Sequence, residues 1–259
     1  MNRKVKELKR IARGNLQGNY LELIRAYVFC TLIVSLIETP FSVMRNEVPF
    51  STTNLIYYIA VILIAVASVV LTVGQLCLHL RVARTGELHL SELFYPLKHD
   101  ANRLIIAEAI LFIIEIGALL PILGAVAILY FYDEASLYLL ALILGLLGIA
   151  LTAFVTVTFG LTYFVLIDNE TPSVKEAIHA TLKLVKNHKK RYLYLHLSFW
   201  GIYLLGFLSL GIGLLWVQPY EMQTLSLFYL DIKGELDEVL ENRRKTEPTP
   251  EPVAFDSYA

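Results

Sequence analysis

The sequence predicts an all-α fold, a polytopic membrane bundle of about six transmembrane helices with amphipathic interfacial helices along its cytoplasmic face. Hydrophobic residues make up 56% of the 259 residues, charged residues make up 17%, and mean hydropathy is +0.60. Soluble domains have roughly 45–50% apolar and about 25% charged residues. A soluble chain of this length does not bury so much apolar surface, so the composition favours a membrane protein and excludes a disordered or disulfide-stapled one.

Four apolar segments are long enough to cross a bilayer core, which takes about 20 residues of helix. They are 20–40, 55–80, 104–132 and 135–167. The second and fourth segments contain no Asp, Glu, Lys or Arg, and the third contains only Glu108 and Glu115. The first is weaker, because its uncharged centre is short. We expect each segment to form one span.

A fifth apolar stretch, 192–230, is interrupted only by Glu221. As a single helix it would be about 57 Å long at 1.5 Å per residue, which is too long for one crossing. Gly211 and Gly213 lie near its middle and indicate a break. The stretch therefore forms either two short spans or one span plus an interfacial helix.

The distribution of positive charge decides between these topologies, because Lys and Arg accumulate on the cytoplasmic side of a membrane. With six spans, all of the 22 Lys and Arg residues except Arg25 and Arg45 belong to inner segments. Those segments are 1–19, 81–103, 168–191 and 232–259. A five-span model would export the four basic residues of the last segment. The sequence thus predicts six spans with both termini in the cytoplasm.

Three inner segments have the pattern of a basic amphipathic helix. In the clearest, Ser173 and Glu176 form a capping-box pair, and apolar residues recur at helical spacing from Val174 to Val185. Segments 88–104 and 5–16 repeat the pattern. Such helices lie in the membrane interface with their lysines near anionic headgroups, or they seal the inner end of the bundle, or they dock a protein partner. The expected headgroup contacts are Lys183, Lys186, Lys189, Lys190 and Arg191.

This recurrence favours a three-fold internal repeat within a single membrane domain, 1–231, each unit being a surface helix followed by a two-span hairpin. The units are 1–80, 81–166 and 167–231. Beyond Asp231 the chain becomes charged, and prolines alternate with Thr and Glu from Pro248 to Pro252. That composition predicts an extended, solvated and disordered cytoplasmic tail over 232–259.

Ionisable residues inside a membrane are costly, and their default interpretation is functional. Glu108 and Glu115 are seven residues apart, so they share one face of the third span, about 10 Å apart in height. Together with Glu221, which follows Pro219, they are candidates for a proton or cation relay. The alternative is that each is a protonated or hydrogen-bonded glutamate packed between helices.

Other chemistry has little support in the sequence. The six histidines are dispersed, without metal-ligand spacing, and there is no nucleophile elbow, phosphate-binding loop or dinucleotide-binding turn. We therefore predict no metal site, no cofactor and no catalytic residue. The basic segments adjoin apolar spans and lack interleaved aromatic residues, so a nucleic-acid partner is not expected.

Several short segments carry a family resemblance. They are 16–20, 83–87, 93–94, 168–169, 176–178, 186–191, 197–201, 210–216, 219–220 and 228–229. In these segments the chain resembles the bacterial multi-pass membrane family catalogued as domain of unknown function 975, which is distantly similar to the membrane domain of some glycerophosphodiester phosphodiesterases. Asn187 and Glu170 depart from the glycine and the proline expected there. The resemblance covers 5–231, and it implies a helical bundle in a bacterial cytoplasmic membrane and no established activity.

Two functions follow as hypotheses. The first is a non-enzymatic membrane organiser or accessory subunit, which binds anionic phospholipid through its basic helices and joins a protein partner in a membrane complex. The alternative is a transporter, channel or lipid-moving component that uses Glu108 and Glu115. An intramembrane enzyme lacks support, because no constellation of nucleophile, base or metal ligands is present.

Overall fold

A computed structural model of the protein describes residues 3–43, 51–99, 101–132, 134–168 and 173–246. These residues form helices and no strand, which confirms the all-α prediction. Four helical segments are long and apolar enough to cross a membrane, and they coincide with the four predicted spans. They are α2 (Tyr20–Val43), α3 (Thr52–Thr85), α5 (Ala101–Phe131) and the combined stretch of α6 (Ala135–Phe159) with α7 (Thr162–Asp168).

Helix α3 shows where the protein core lies. It begins at Ser51, whose hydroxyl accepts a hydrogen bond from the Asn54 N–H, and it ends at Gly86 with φ 79°. Apart from Asn54, its buried residues all lie between Val69 and Ala83, while the first half of the helix is exposed or half-buried. The core therefore surrounds the C-terminal half of α3, at the end of the bundle where most of the basic side chains lie. We call this end the basic end.

Helices α5 and α6 form a tightly packed hairpin. A Cβ added at Gly148 would lie 2.4 Å from the Ile122 side chain, so the missing side chain permits the close approach. Small buried residues, Ala118, Ala125 and Ala141, continue the contact. Small residues at such positions let membrane helices pack closely. The outer faces carry exposed large apolar residues, as expected for surfaces in contact with lipid.

The last apolar stretch is divided into α9 (Lys189–Leu208) and α10 (Leu214–Lys233) by a turn at 209–213. Leu210 and Gly211 adopt positive φ angles of 55° and 84° in this turn, which confirms the predicted break near the glycines. Helix α10 packs against α1, α2, α3 and α9, and it carries buried polar as well as apolar residues. It is therefore the central helix of the basic end.

Two of the three predicted amphipathic helices are present, as α1 (Val5–Leu16) and α8 (Val174–Val185). The apolar stripe of α1, including Leu8 and Leu16, is buried against protein, with α10 as its main neighbour. The stripe of α8, including Ala177 and Val185, packs mainly on α6 and α7. Both stripes thus cover protein, as the sealing alternative requires, and apart from the half-buried Lys9 the lysines of both helices are exposed.

The middle segment differs from the predicted single helix over 88–104. A 3₁₀ turn, Leu90–Phe94, leads into a short helix, α4 (Tyr95–His99); residue 100 lies outside the described residues, and α5 follows from Ala101. Pro96 explains part of the difference, because proline has no backbone N–H and cannot continue the hydrogen-bond ladder of a preceding helical turn. Leu93 is buried against α3, whereas Leu90, Phe94 and Leu97 are exposed.

The predicted extended tail is wrong for its first part, because residues 236–246 form a helix, α11 (Leu236–Thr246). Leu236 is only 1% exposed, and Arg243 donates hydrogen bonds to the Asn15 side chain and to the Ala83 carbonyl oxygen. These contacts to α1 and α3 order a segment whose composition alone indicates solvation. The proline-rich part of the tail, 247–259, lies outside the described residues, and the three-fold repeat stays a prediction.

Gly74 provides a test of the packing between α3 and the 3₁₀ turn. A Cβ at this position would lie 2.1 Å from the Leu93 carbonyl oxygen, so Gly74→Ala must displace the turn. Overpacking of this kind costs roughly 1–3 kcal/mol, and we expect a lower thermal midpoint in detergent. Gly117→Ala is the matched control, because a Cβ there meets no described atom within 4 Å. Equal midpoints for the two variants would contradict this packing.

Candidate functional site

Two buried aspartates organise the basic end. Asp168, at the end of α7, is 6% exposed and accepts hydrogen bonds from Lys233 Nζ at 2.7 Å and from the Tyr229 hydroxyl at 2.8 Å. Arg84 Nη2 of α3 lies 2.6 Å from its other oxygen. Glu235 bridges the same two cations, 3.1 Å from Arg84 and 2.5 Å from Lys233. This cluster joins the ends of α3, α7 and α10.

Asp231 is the second buried aspartate, and its side chain is 2% exposed. The Arg191 guanidinium of α9 donates to Oδ2, and the Arg3 backbone N–H lies 3.3 Å from both carboxylate oxygens. The Arg3 side chain pairs with Glu7 at 2.8 Å and with Asp237 at 2.5 Å. The hydrogen bond from Arg3 holds the pKa of Asp237 below its usual range. The start of the described chain is therefore fixed against α10 and α11.

A second group of polar side chains lies nearer the N-terminus of α10, around Glu221. Its carboxylate accepts a hydrogen bond from the Tyr203 hydroxyl, and its Oε1 lies 3.1 Å from His196 Nδ1. Nearby, Lys9 of α1 donates to the Ser198 carbonyl oxygen at 2.8 Å and lies 3.7 Å from the centre of the Phe199 ring. Burial lowers the pKa of Lys9, and the charge of Glu221 opposes that shift.

On the opposite side of α10, Gln223 Oε1 lies 2.9 Å from His79 Nδ1, and both side chains are buried. A lateral groove of about 290 Å³ lies between α2, α3 and α10. Its polar lining includes Tyr27, Gln75 and Gln218. Helix α10 thus presents hydrogen-bonding groups to α9 on one side and to α2 and α3 on the other.

The three glutamates predicted as a relay do not form one cluster. Glu108 of α5 accepts a hydrogen bond from the Tyr163 hydroxyl and is half-buried, whereas Glu115, two turns along, is exposed on the outside of the bundle. Glu221 bonds instead to α9. The environment of Glu108 agrees with the alternative of a hydrogen-bonded glutamate between helices.

The five predicted headgroup contacts divide into two groups. Lys183, Lys186 and Lys190 are exposed. The other two have partners within the protein. Lys189 donates to Thr158 Oγ1 at 3.1 Å, and Arg191, besides its bond to Asp231, lies 4.8 Å from the centre of a phenylalanine ring of α10.

Sequence reasoning missed the ionic partners of the basic end, because they are far apart along the chain. Asp168 and Asp231 follow apolar runs directly, which equally marks the end of any span. The segments that carry the family resemblance contain Arg84, Asp168 and Arg191. Their place in those segments is the sequence feature that could have pointed to these ionic partners. Among the described residues, no group of three or more His, Cys, Asp or Glu side chains is placed to hold a metal ion.

Most of the chain matches one known protein family. Residues 1–235 match the model of the family described as "Protein of unknown function (DUF975)". The chain belongs to this family. No curated protein and no solved structure matches the sequence. The more distant similarity to glycerophosphodiester phosphodiesterases stays a prediction, and DUF975 membership assigns no activity.

The buried ion pair of Asp231 can be tested with a matched pair of variants. Asp231→Asn keeps the shape but leaves the Arg191 charge without its carboxylate, and removing one partner of a buried pair costs about 3–5 kcal/mol. We expect a clearly lower thermal midpoint in detergent. Asp237→Asn is the control, because that carboxylate is 58% exposed and solvent screens its pair with Arg3. Similar losses in both variants would refute a special role for Asp231.

His188, between α8 and α9, predicts a pH dependence. Burial and the nearby Arg191 charge hold its pKa below the ordinary value of 6.5, so the folded protein binds this proton less tightly than the unfolded chain. Its contribution to stability is therefore complete above pH 6.5 and is lost as the pH falls below that value. We expect His188→Asn to flatten the decrease in thermal midpoint between pH 7 and pH 5. The exposed His179→Asn should leave the wild-type slope unchanged.

Proposed function

We propose that this DUF975 protein is a multi-pass protein of a bacterial cytoplasmic membrane that binds anionic phospholipid at its basic end, acting as a non-enzymatic organiser or accessory subunit. The observation that carries the proposal is the difference between acids and bases at that end. Asp168 and Asp231 are buried and paired with cations, whereas Lys183, Lys186 and Lys190 are exposed. Over residues 174–191, four exposed lysines stand against one exposed acid, so this surface is cationic.

The proposed topology has six crossings with both termini in the cytoplasm. Helices α9 and α10 have 20 residues each, which gives about 30 Å at 1.5 Å per residue and matches a bilayer core. Four crossings and six crossings both return the chain to the side where it started. The Lys and Arg bias then makes this side the cytoplasmic one.

The energetic case for lipid binding rests on proximity to the membrane. Helix α8 and the start of α9 adjoin α6, one of the four apolar helices, so their exposed lysines lie near the level of the headgroups. A basic side chain near an anionic membrane surface contributes about 1 kcal/mol. Several together give stable retention of anionic lipid without any enclosed pocket.

A transporter or lipid-moving component is the second candidate, and the polar groove between α2, α3 and α10 favours it. Tyr27, Gln75 and Gln218 offer hydrogen bonds to a polar ligand at this position. The exposed position of Glu115 does not favour the predicted pair of glutamates as an internal relay. The groove is thus a stronger basis for this function than the relay.

Charge reversal on α8 tests the proposed lipid binding. We expect Lys183→Glu combined with Lys186→Glu to reduce co-purifying anionic phospholipid at least 10-fold, because two favourable charges become unfavourable ones. The measurement is headgroup-resolved lipid analysis of the detergent-purified protein. The control combines Arg244→Glu with Lys245→Glu, which reverses two exposed charges on α11. Wild-type lipid content in the α8 variant would refute the proposal. An equal loss in the control would show that lipid retention depends on net charge and not on the position of the lysines.

A further inference from the structure

A cavity of about 390 Å³ lies where the start of α1 meets the start of α9. Six residues line it: Arg3, Lys4, Val5, Lys6, Arg191 and Tyr194. Four of these six side chains are cationic. The concentration of positive charge around one concave surface distinguishes this place from the dispersed lysines of α8.

Not all of these cations are neutralised within the protein. The Arg3 side chain pairs with Glu7 and Asp237, while Lys4 and Lys6 are exposed. Asp231 accepts a hydrogen bond from only one nitrogen of Arg191, Nη2. The other two, Nε and Nη1, are shielded from solvent and have no hydrogen-bond partner among the residues that the structure describes, so an anion in the cavity reaches them only when the guanidinium turns toward it.

Unpaired guanidinium donors point to the chemistry of the missing partner. A guanidinium presents its N–H groups in a planar fork that matches phosphate and carboxylate oxygens, and buried donors without an acceptor are rare in folded proteins. Helix α1 begins at Val5 on the wall of the cavity, and Lys4 at its N-cap makes no side-chain cap. The partial positive charge of a helix start also favours an anion.

We propose that this cavity is a specific phosphate-binding site, in which Arg191, Lys4 and Lys6 hold a phosphate oxyanion. The site rests on the proposed function, since it names one pocket within the basic end. Two sources share this chemistry, a phospholipid headgroup and free phosphate. Tyr194 is 62% exposed at the rim, and tyrosine is enriched at the level of the headgroups, which favours the lipid source.

The test uses the full-length protein in detergent and two variants with different risks of misfolding. Lys4→Ala combined with Lys6→Ala removes two exposed charges and leaves the buried pairs intact. Arg191→Lys keeps a positive charge opposite Asp231 but lacks the planar fork. Arg244→Ala combined with Lys245→Ala is the matched control on α11. Native mass spectrometry then measures the binding of dihexanoylphosphatidylglycerol and, separately, of inorganic phosphate.

The affinity is compared for whichever of the two probes the wild-type protein binds. We expect the Lys4 and Lys6 double variant to bind that probe about 10-fold more weakly, and Arg191→Lys to bind it more weakly as well. The control should bind it like wild type. Binding of the lipid but not of phosphate assigns the site to a headgroup, and binding of phosphate but not of the lipid assigns it to free phosphate. Wild-type affinity in the double variant overturns the site, whatever the stability of Arg191→Lys. If the Lys183 and Lys186 variant alone loses lipid, this site is refuted while the proposed function stands. If no variant loses lipid, both are refuted.

Discussion

Asp231 and Asp168 are carboxylates that burial has removed from water, and each is held by cations from distant parts of the chain. The cost of desolvating an ion amounts to several kcal/mol, and it is offset only by close pairing and hydrogen bonds. Arg84 and Arg191 supply that pairing from α3 and α9, and the Arg3 backbone N–H donates a hydrogen bond to Asp231. The arrangement of the basic end gives both carboxylates their partners and thereby joins α3, α7, α9 and α10.

The same constraint explains why the most polar of the long helices lies in the middle. Helix α10 carries Gln223, Thr224, Ser226 and Asp231 as buried residues, and lipid offers no hydrogen bonds to such groups. Its neighbours α1, α2, α3 and α9 shield it, while the apolar helices α5 and α6 take the outer positions. An arrangement with a polar helix inside and apolar helices outside needs no hydrophobic attraction between helices. It requires that polar groups find hydrogen-bond partners inside the protein.

Features encoded by neighbouring residues could be predicted from the sequence, and features encoded by distant residues could not. The four apolar spans, the break at Gly211 and the cap at Ser173, whose hydroxyl accepts from the Glu176 N–H, depend on local composition and geometry. Helix α11 and the inward direction of Arg191 depend on contacts with segments far away in the sequence. A charged segment and a basic residue beside a span have the same local pattern in solvent and in a core. Only the three-dimensional fold shows whether such a residue is exposed to solvent or buried in the core.

The placement of the remaining charges determines what the basic end presents to its surroundings. The chain as a whole has a net charge of −1, which gives no reason to expect an attraction to anions. The fold changes this balance locally, because acids such as Glu38, Glu108 and Glu134 lie away from the basic end while Lys4, Lys6, Lys183 and Lys186 are exposed there. Exposed charges near an anionic surface act over a Debye length of about 8–10 Å, whereas the buried pairs act only on each other. The positions of the unpaired charges thus give one end a cationic face that the net charge does not reveal.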